Sequence, residues 1–465
     1  MFSRLLAAVV AVVTLGLVAT AQQQSAPTPA QPAPAPAPQS AAPANPTNLG
    51  SDANGNPLRK ALKTGHVSNY DEAKTGTYTL PDPLMTAAGR PVRDAKAWRS
   101  RRAEILALYE ANIYGRIPPT APKVTWQVAE TDPKAREGAA SRKKIVGAVG
   151  PNADGPRITV TLTTPANAQK SVPVILLVNF GGGPPPPPFD RAQGAPSTSR
   201  GAPGTATRGP AFNAHADPAL ADEILARGWG YATVGYADIQ PDRATTAGDA
   251  VMALAAAGRP AGTTTPPDEW GTIAVWSWGV SRIIDYFETD KAVDAKRIAI
   301  FGHSRLGKTV LWASAKDERV AAVFSSCSGE MGAALARRDW GETVDDMAQN
   351  FPWQFAPGFQ QFSGRWNDMP VDAHLLIALS APRPVFITGG TADQWADPVG
   401  MFKAAVAAGP VYRLLGKKDL GTTELPALDI PLTSGDLGWH YHTGGHTATP
   451  ADWKAFLMFL GKYFT

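Results

Sequence analysis

From about residue 120 the chain alternates two hydrophobic patterns: short β-branched runs, and longer stretches with apolar residues every three or four positions. Val172 to Phe180 (VPVILLVNF) is almost unbroken, as expected of a central parallel strand covered on both faces. The run Ile298 to Phe301 reads as a second buried strand; it breaks at Gly302 and gives way to a helix-forming segment, Thr309 to Lys316. Tyr231–Tyr236, Val320–Ser325 and Pro384–Thr388 are further strand-like runs, and Val411–Leu415 reads as the final strand. Earlier, Val124–Val128, Ile145–Val149 and Ile158–Thr163 read as strands, the last alternating as a half-exposed edge region should. Helical spacing marks 94–109, 219–227, 270–289 (Ile273, Trp276, Val280, Ile283, Ile284, Phe287) and a closing segment, 452–463. A long insertion carries Glu330 to His374. Strands that alternate with helices predict an α/β class chain, a three-layer sandwich with a mostly parallel central sheet.

Composition changes this picture mainly at the N-terminus. Arg4, the apolar run Leu5–Val18 and the small residues Ala19-Thr20-Ala21 have the layout of a cleavable signal peptide over 1–21. Residues 22–50 are a Pro/Ala-rich tract too poor in large apolar residues to build a core, expected to be a disordered tether. Residues 51–465 are then expected to form a single domain, periplasmic or secreted, without a stable membrane span. A net charge of +4, with both signs interspersed, argues against a nucleic-acid partner. Cys327 is the only cysteine, so no internal disulfide can form.

The candidate chemistry centres on Gly302-His303-Ser304-Arg305-Leu306-Gly307-Lys308. Strand, tight turn and helix with a serine at the apex is the geometry of a nucleophile elbow, although G-x-S-x-G is broken: Leu306 takes the second glycine's place and Gly307 follows it. An ordinary turn capped by Ser304 would show the same local pattern. Such a serine needs a base and an acid to orient it, and in sheets of this winding the chain order is Ser, acid, His. Asp393 and Asp397 follow the Pro384–Thr388 strand; His440, His442 and His446 lie near the C-terminus, His446 in a glycine loop just before the final helix. The three histidines could suggest a metal, but their spacing is a weak ligand pattern and none is expected. Gly181-Gly182-Gly183 after the central strand could bring backbone amides to a ligand, or be a plain flexible loop.

G-H-S-R-L-G-K resembles the G-C-S-R-x-G-K signature of the glucuronoyl esterases, carbohydrate esterase family 15. The resemblance runs from about Val172 to the C-terminus and includes S-G-E-M-G-A-A-L-A-R-R, R-D-W-G-E-T-V, N-F-P-W, D-Q-W-A-D-P and the terminal G-G-H. It implies an α/β-hydrolase fold and cofactor-free hydrolysis of (4-O-methyl-)glucuronic acid esters, such as lignin–carbohydrate links on glucuronoxylan, by a protein expected to act as a monomer. Carried over by position, it implies Ser304 as nucleophile, His446 as base, Arg305 at the oxyanion, and Lys308, Glu342 and Trp395 on the sugar. Fungal members place a glutamate where Cys327 stands; Asp393 matches the acid of other bacterial members, with Glu330 and Asp397 as alternatives. His303 stands where many relatives have a cysteine. An acetyl xylan esterase or other carbohydrate esterase of the same fold is the competing enzyme reading, and a carbohydrate-binding protein with an inert elbow is the non-enzymatic one.

Overall fold

Every residue of Val172–Asn179 is buried, and this strand lies inside a nine-stranded sheet. The structure, a computed structural model, describes residues 47–152, 154–181, 218–244, 250–260 and 262–465. Its strands are β1 (Asn48–Ser51), β2 (Pro57–Arg59), β3 (Val124–Ala135), β4 (Ala140–Val149), β5 (Arg157–Pro165) and β6 (Val172–Asn179). They continue as β7 (Gly230–Gly235), β8 (Val293–His303), β9 (Val320–Ser326), β10 (Val385–Gly390) and β11 (Leu437–His442). The helices are α1 (Ala95–Asn112), α2 (Pro218–Ala226), α3 (Tyr236–Ile239), α4 (Ala250–Ala257) and α5 (Thr272–Phe287). After them come α6 (Arg305–Lys316), α7 (Val344–Asn350), α8 (Ala373–Ala378), α9 (Pro398–Leu414) and α10 (Pro450–Leu460).

The large sheet has the order β11-β10-β9-β8-β6-β7-β5-β4-β3. Its first six strands run parallel, and β5, β4 and β3 continue it antiparallel. Side chains alternate across a strand, so β6 feeds two cores. Val174, Leu176 and Val178 pack with residues of α1, α5, α6, α8 and α9. Ile175 and Leu177 face the other way, onto Leu220 and Ile224 of α2 and Trp453, Phe456 and Phe459 of α10. This is the three-layer arrangement of an α/β-hydrolase fold. It aims the loops after β8, β9, β10 and β11 at one edge, the C-terminal ends of parallel neighbours.

Three expectations are corrected. Val411–Leu415 is no strand: Val411 to Leu414 close α9, whose Met401, Ala404, Ala405, Ala408, Val411 and Tyr412 are buried at helical spacing. A short apolar run cannot be told from the end of a buried helix by periodicity alone. The last strand is Leu437–His442, so His440 and His442 lie on it rather than beyond it. Ile158–Thr163 is not at an edge either; β5 lies between β4 and β7, and β3 is the outer strand. Finally, residues 48–50 of the expected tether pair with β2 as part of β1. The expected signal peptide, the rest of the tether, Gly182 and Gly183 lie outside the described residues. Among the described residues no helix is long and apolar enough to cross a membrane.

Candidate active site

Ser304 follows β8 directly and stands at the N-cap of α6 in a backbone conformation that L-residues rarely adopt, φ 58° and ψ −128°. Strain of this kind is kept where the surroundings over-determine it. Here the Ser304 N–H donates to Ser326 O at 2.8 Å, and its carbonyl accepts from Gly307 N–H at 2.8 Å. The turn leaves no room at residue 302, where a Cβ would stand 2.0 Å from the Leu306 carbonyl oxygen. The shifted second glycine has its own reason. A Cβ on Gly307 would fall 2.8 Å from Ser328 Cβ and 3.1 Å from Ser326 O, so the first turn of α6 presses against the loop after β9. Leu306 instead points into the core, fully buried. The departure from G-x-S-x-G thus marks where the helix touches the next strand.

Ser304 lines a cavity with Arg305, Lys308, Cys327, Glu342, Asp393, Trp395 and His446. Asp393 leaves β10 and His446 leaves β11, so adjacent strands bring them together; His446 Nδ1 is 2.7 Å from Asp393 Oδ2. With that nitrogen taken up by the carboxylate, Nε2 is the nitrogen left to exchange a proton. The Ser304 hydroxyl has no hydrogen-bond partner among the described residues, and such contacts in empty sites often tighten only with substrate. The ring of His303 lies against that of His446, 4.6 Å between centroids and tilted by 57°, with its Nδ1 3.2 Å from Ser326 Oγ. The Cys327 thiol, within 4.8 Å of the Asp393 and His446 ligand atoms, lies 3.6 Å from Thr447 O. Burial and the neighbouring Asp393 carboxylate push its pKa up, so it stays a neutral thiol.

Arg305 opens α6, whose first amides have no intrahelical acceptor and point toward the cavity end of the helix. Its guanidinium pairs with Asp242 and lies over the rings of Phe180 and Phe351, 5.8 and 5.5 Å from their centroids. Burial opposes that charge, and the Asp242 carboxylate more than offsets it. Asp242 also accepts from Trp353 Nε1–H at 2.8 Å and Gln354 Nε2–H at 2.7 Å. Nothing in the sequence flagged Asp242, whose tie to Arg305 is made only in the fold. Lys308, one turn into α6, is buried with Nζ 3.8 Å from Glu342 Oε2 and 3.4 Å from Met347 Sδ. Burial lowers its pKa, with the Glu342 charge opposing. The indole N–H of Trp395 donates to Glu342 Oε1 at 3.0 Å. Lys308, Glu342 and Trp395 therefore form one chain on the cavity wall.

The alternatives sit elsewhere. Glu330 is buried and does not line the cavity; burial and the Asp372 and Glu342 charges push its pKa well up. Asp397 caps α9 through Gly400 N–H at 2.9 Å, also away from the cavity, with its pKa pushed up to about 6 by burial. His440 and His442 are buried on Asp452, at 2.7 and 3.1 Å. Pro57 and Arg59 of β2, which sequence reasoning did not single out, also line the cavity.

Comparison with known proteins gives a consistent picture. The family model described as glucuronyl esterase, fungi, matches residues 266–416. A carbohydrate esterase, MZ0003, from an unknown prokaryotic organism is 38% identical over 407 residues, 85% of this chain and 92% of the relative. The solved glucuronoyl esterase from Solibacter usitatus is 39% identical with a TM-score of 0.73, covering 84% of this chain and 99% of its own. A 4-O-methyl-glucuronoyl methylesterase from Phanerochaete carnosa is 27% identical, covering 73% of each chain.

Proposed function

The chain belongs to the glucuronoyl esterases of carbohydrate esterase family 15, and from that membership we propose that it hydrolyses carboxylic esters of glucuronic and 4-O-methylglucuronic acid with Ser304 as nucleophile. The observation that carries the role of Ser304 is the 2.7 Å His446–Asp393 pair opening with Ser304 into one cavity. His446 Nε2 takes the Ser304 Oγ proton as the oxygen attacks the ester carbonyl. The oxyanion is met by the first amides of α6 and the Arg305 guanidinium, held by Asp242 so that it need not reorganise. His446 then returns the proton to the leaving alcohol, and water, activated the same way, cleaves the uronoyl–enzyme ester. Lys308, Glu342 and Trp395 hold the sugar hydroxyls and ring face. The protein is exported through the leader over residues 1–21 and meets polymeric substrate, glucuronoxylan esterified to lignin alcohols, outside the cell.

The test is Ser304→Ala, assayed for benzyl alcohol released from benzyl glucuronate. A loss of about 10³-fold or more in kcat/KM is expected with an unchanged thermal transition. Activity retained in a folded variant overturns the reading. Faster release of acetate from acetylated xylan than of alcohol from glucuronate esters would instead favour the acetyl esterase.

A further inference from the structure

Charged side chains lining the cavity come in pairs, with one exception. His446 pairs with Asp393, Arg305 with Asp242, and Lys308 faces Glu342. Arg59 has no carboxylate within ion-pair reach among the described residues; its guanidinium donates only to the neutral amide oxygen of Asn48. Burial lowers its pKa. Asp346 acts on it only from beyond ion-pair distance, and its Oδ2 accepts from the Thr343 N–H and hydroxyl, both at 2.9 Å.

The chain takes some trouble to place this residue. Pro57 and Arg59 are two apart on β2, so their side chains share a face, and both line the cavity. The strand is fastened by Tyr70 Oη–H to Pro57 O at 2.7 Å and by Arg59 N–H to Ser68 Oγ at 3.0 Å. Gly341 N–H donates to Asn69 O at 2.9 Å, tying this segment to the one that carries Glu342. Tyr70 lies within electrostatic reach of both Arg59 and Glu342. The segment that carries Arg59 is thus tied to the one that carries Glu342, whereas the ester carbon belongs at Ser304.

We propose that Arg59 forms a subsite for a second carboxylate, a free uronate on the saccharide unit next to the esterified one. The inference rests on the glucuronate-esterase reading above and adds a substrate class to it: acidic saccharides with one uronic acid esterified and a neighbour free. A partly desolvated guanidinium without a carboxylate in contact is costly, and a substrate carboxylate satisfies it with a charge-assisted contact that sugar hydroxyls cannot match. The carboxylate released by the reaction forms at Ser304, where Arg305 is the cation at hand.

The test compares two disaccharides that carry the same uronate methyl ester, one joined to a free uronate and the other to a neutral hexose, with methyl glucuronate as reference. Wild type is expected to favour the acidic disaccharide about tenfold in kcat/KM, mostly through KM, with the preference shrinking as salt rises. Arg59→Gln should bring the ratio of the two disaccharides near one, and Arg59→Lys should keep part of it. No preference in wild type, or a preference that survives Arg59→Gln, overturns the subsite while leaving methyl glucuronate hydrolysis intact. Failure to cleave all three esters would bring down the esterase reading, and the subsite with it.

Discussion

Two histidine–carboxylate groups lie within seven residues of each other at the end of β11, and they have opposite fates. His446 keeps 21% of its side chain exposed, binds Asp393 through Nδ1 and lines the cavity, with Nε2 left over. His440 and His442 keep 2% and 1%, and both bond the same carboxylate, Asp452. That carboxylate is itself committed: its second oxygen accepts from Thr449 N–H at 2.6 Å and Thr449 Oγ1–H at 2.8 Å, the cap of α10. The residue types are the same, so composition does not separate the two groups. What separates them is whether a ring nitrogen remains uncommitted and faces space large enough for a reactant. The buried group also serves the open one, because His442 Nε2 lies 3.3 Å from Gly445 O, one residue before His446.

The comparison breaks hardest at Asp393. If it orients His446 and supports the charge that forms on it, Asp393→Asn should lower kcat/KM by about 10³-fold on a glucuronate ester, because the amide favours the wrong tautomer. Glu330→Gln is the matched control. Burial pushes its pKa well up and it does not line the cavity, so an amide of the same shape should leave kcat/KM within about threefold. Steady-state kinetics of the two variants decide the matter, and the reverse ranking would make Glu330 the acid.

A smaller effect, and one of a different kind, is expected at the closed group. Asp452→Ala leaves two buried imidazoles without their acceptor and uncaps α10, which should cost about 3–5 kcal/mol in urea unfolding. His446→Ala should cost under about 0.5 kcal/mol by the same measurement, its ring being partly exposed and bound by one partner. Equal losses would mean that the two groups are not distinct in role.

How far the sequence carried this comparison can be read residue by residue. The elbow was legible because Gly302, Ser304 and a strand-to-helix change are contiguous, and Asp393 and His446 because each follows a strand in the expected order. The strand itself was harder: Val411–Leu415 is the more apolar run, whereas Leu437–His442 carries a glycine and two histidines, yet it is the latter that pairs with β10 while Val411 to Leu414 are buried as the end of α9. That error pushed His440 and His442 off the strand and made them look like loop residues free to act. Asp242 and Arg59 left no local trace, since their meaning comes from residues far along the chain that they meet only after folding. The shift of Gly307 was visible, but its cause, the close approach of Ser328, was not.

The subtlest difference between the groups is in their protons. His442 stands between two acceptors, the Asp452 carboxylate at Nδ1 and the Gly445 carbonyl at Nε2, and an imidazole can donate to both only when doubly protonated. Burial opposes that charge, but the hydrogen bond and charge of Asp452 outweigh it and raise the His442 pKa. Burial likewise works against the Asp452 anion, yet the bonds from His440 and His442 hold its pKa down. The sign follows for each partner. A raised histidine contributes stability that is complete below its unfolded pKa and lost as pH rises through the folded one; a lowered aspartate contributes above its unfolded pKa and loses it as pH falls through the folded one. The pair therefore stabilises the fold fully between the ordinary Asp and His values, and the alkaline loss belongs to His442. Tm measured across neutral to mildly alkaline pH should fall in wild type and flatten in His442→Gln, whose amide keeps a donor but cannot titrate. An unchanged slope in that variant would show that the ring is neutral throughout, and that Gly445, with the loop carrying His446, is held by other contacts alone.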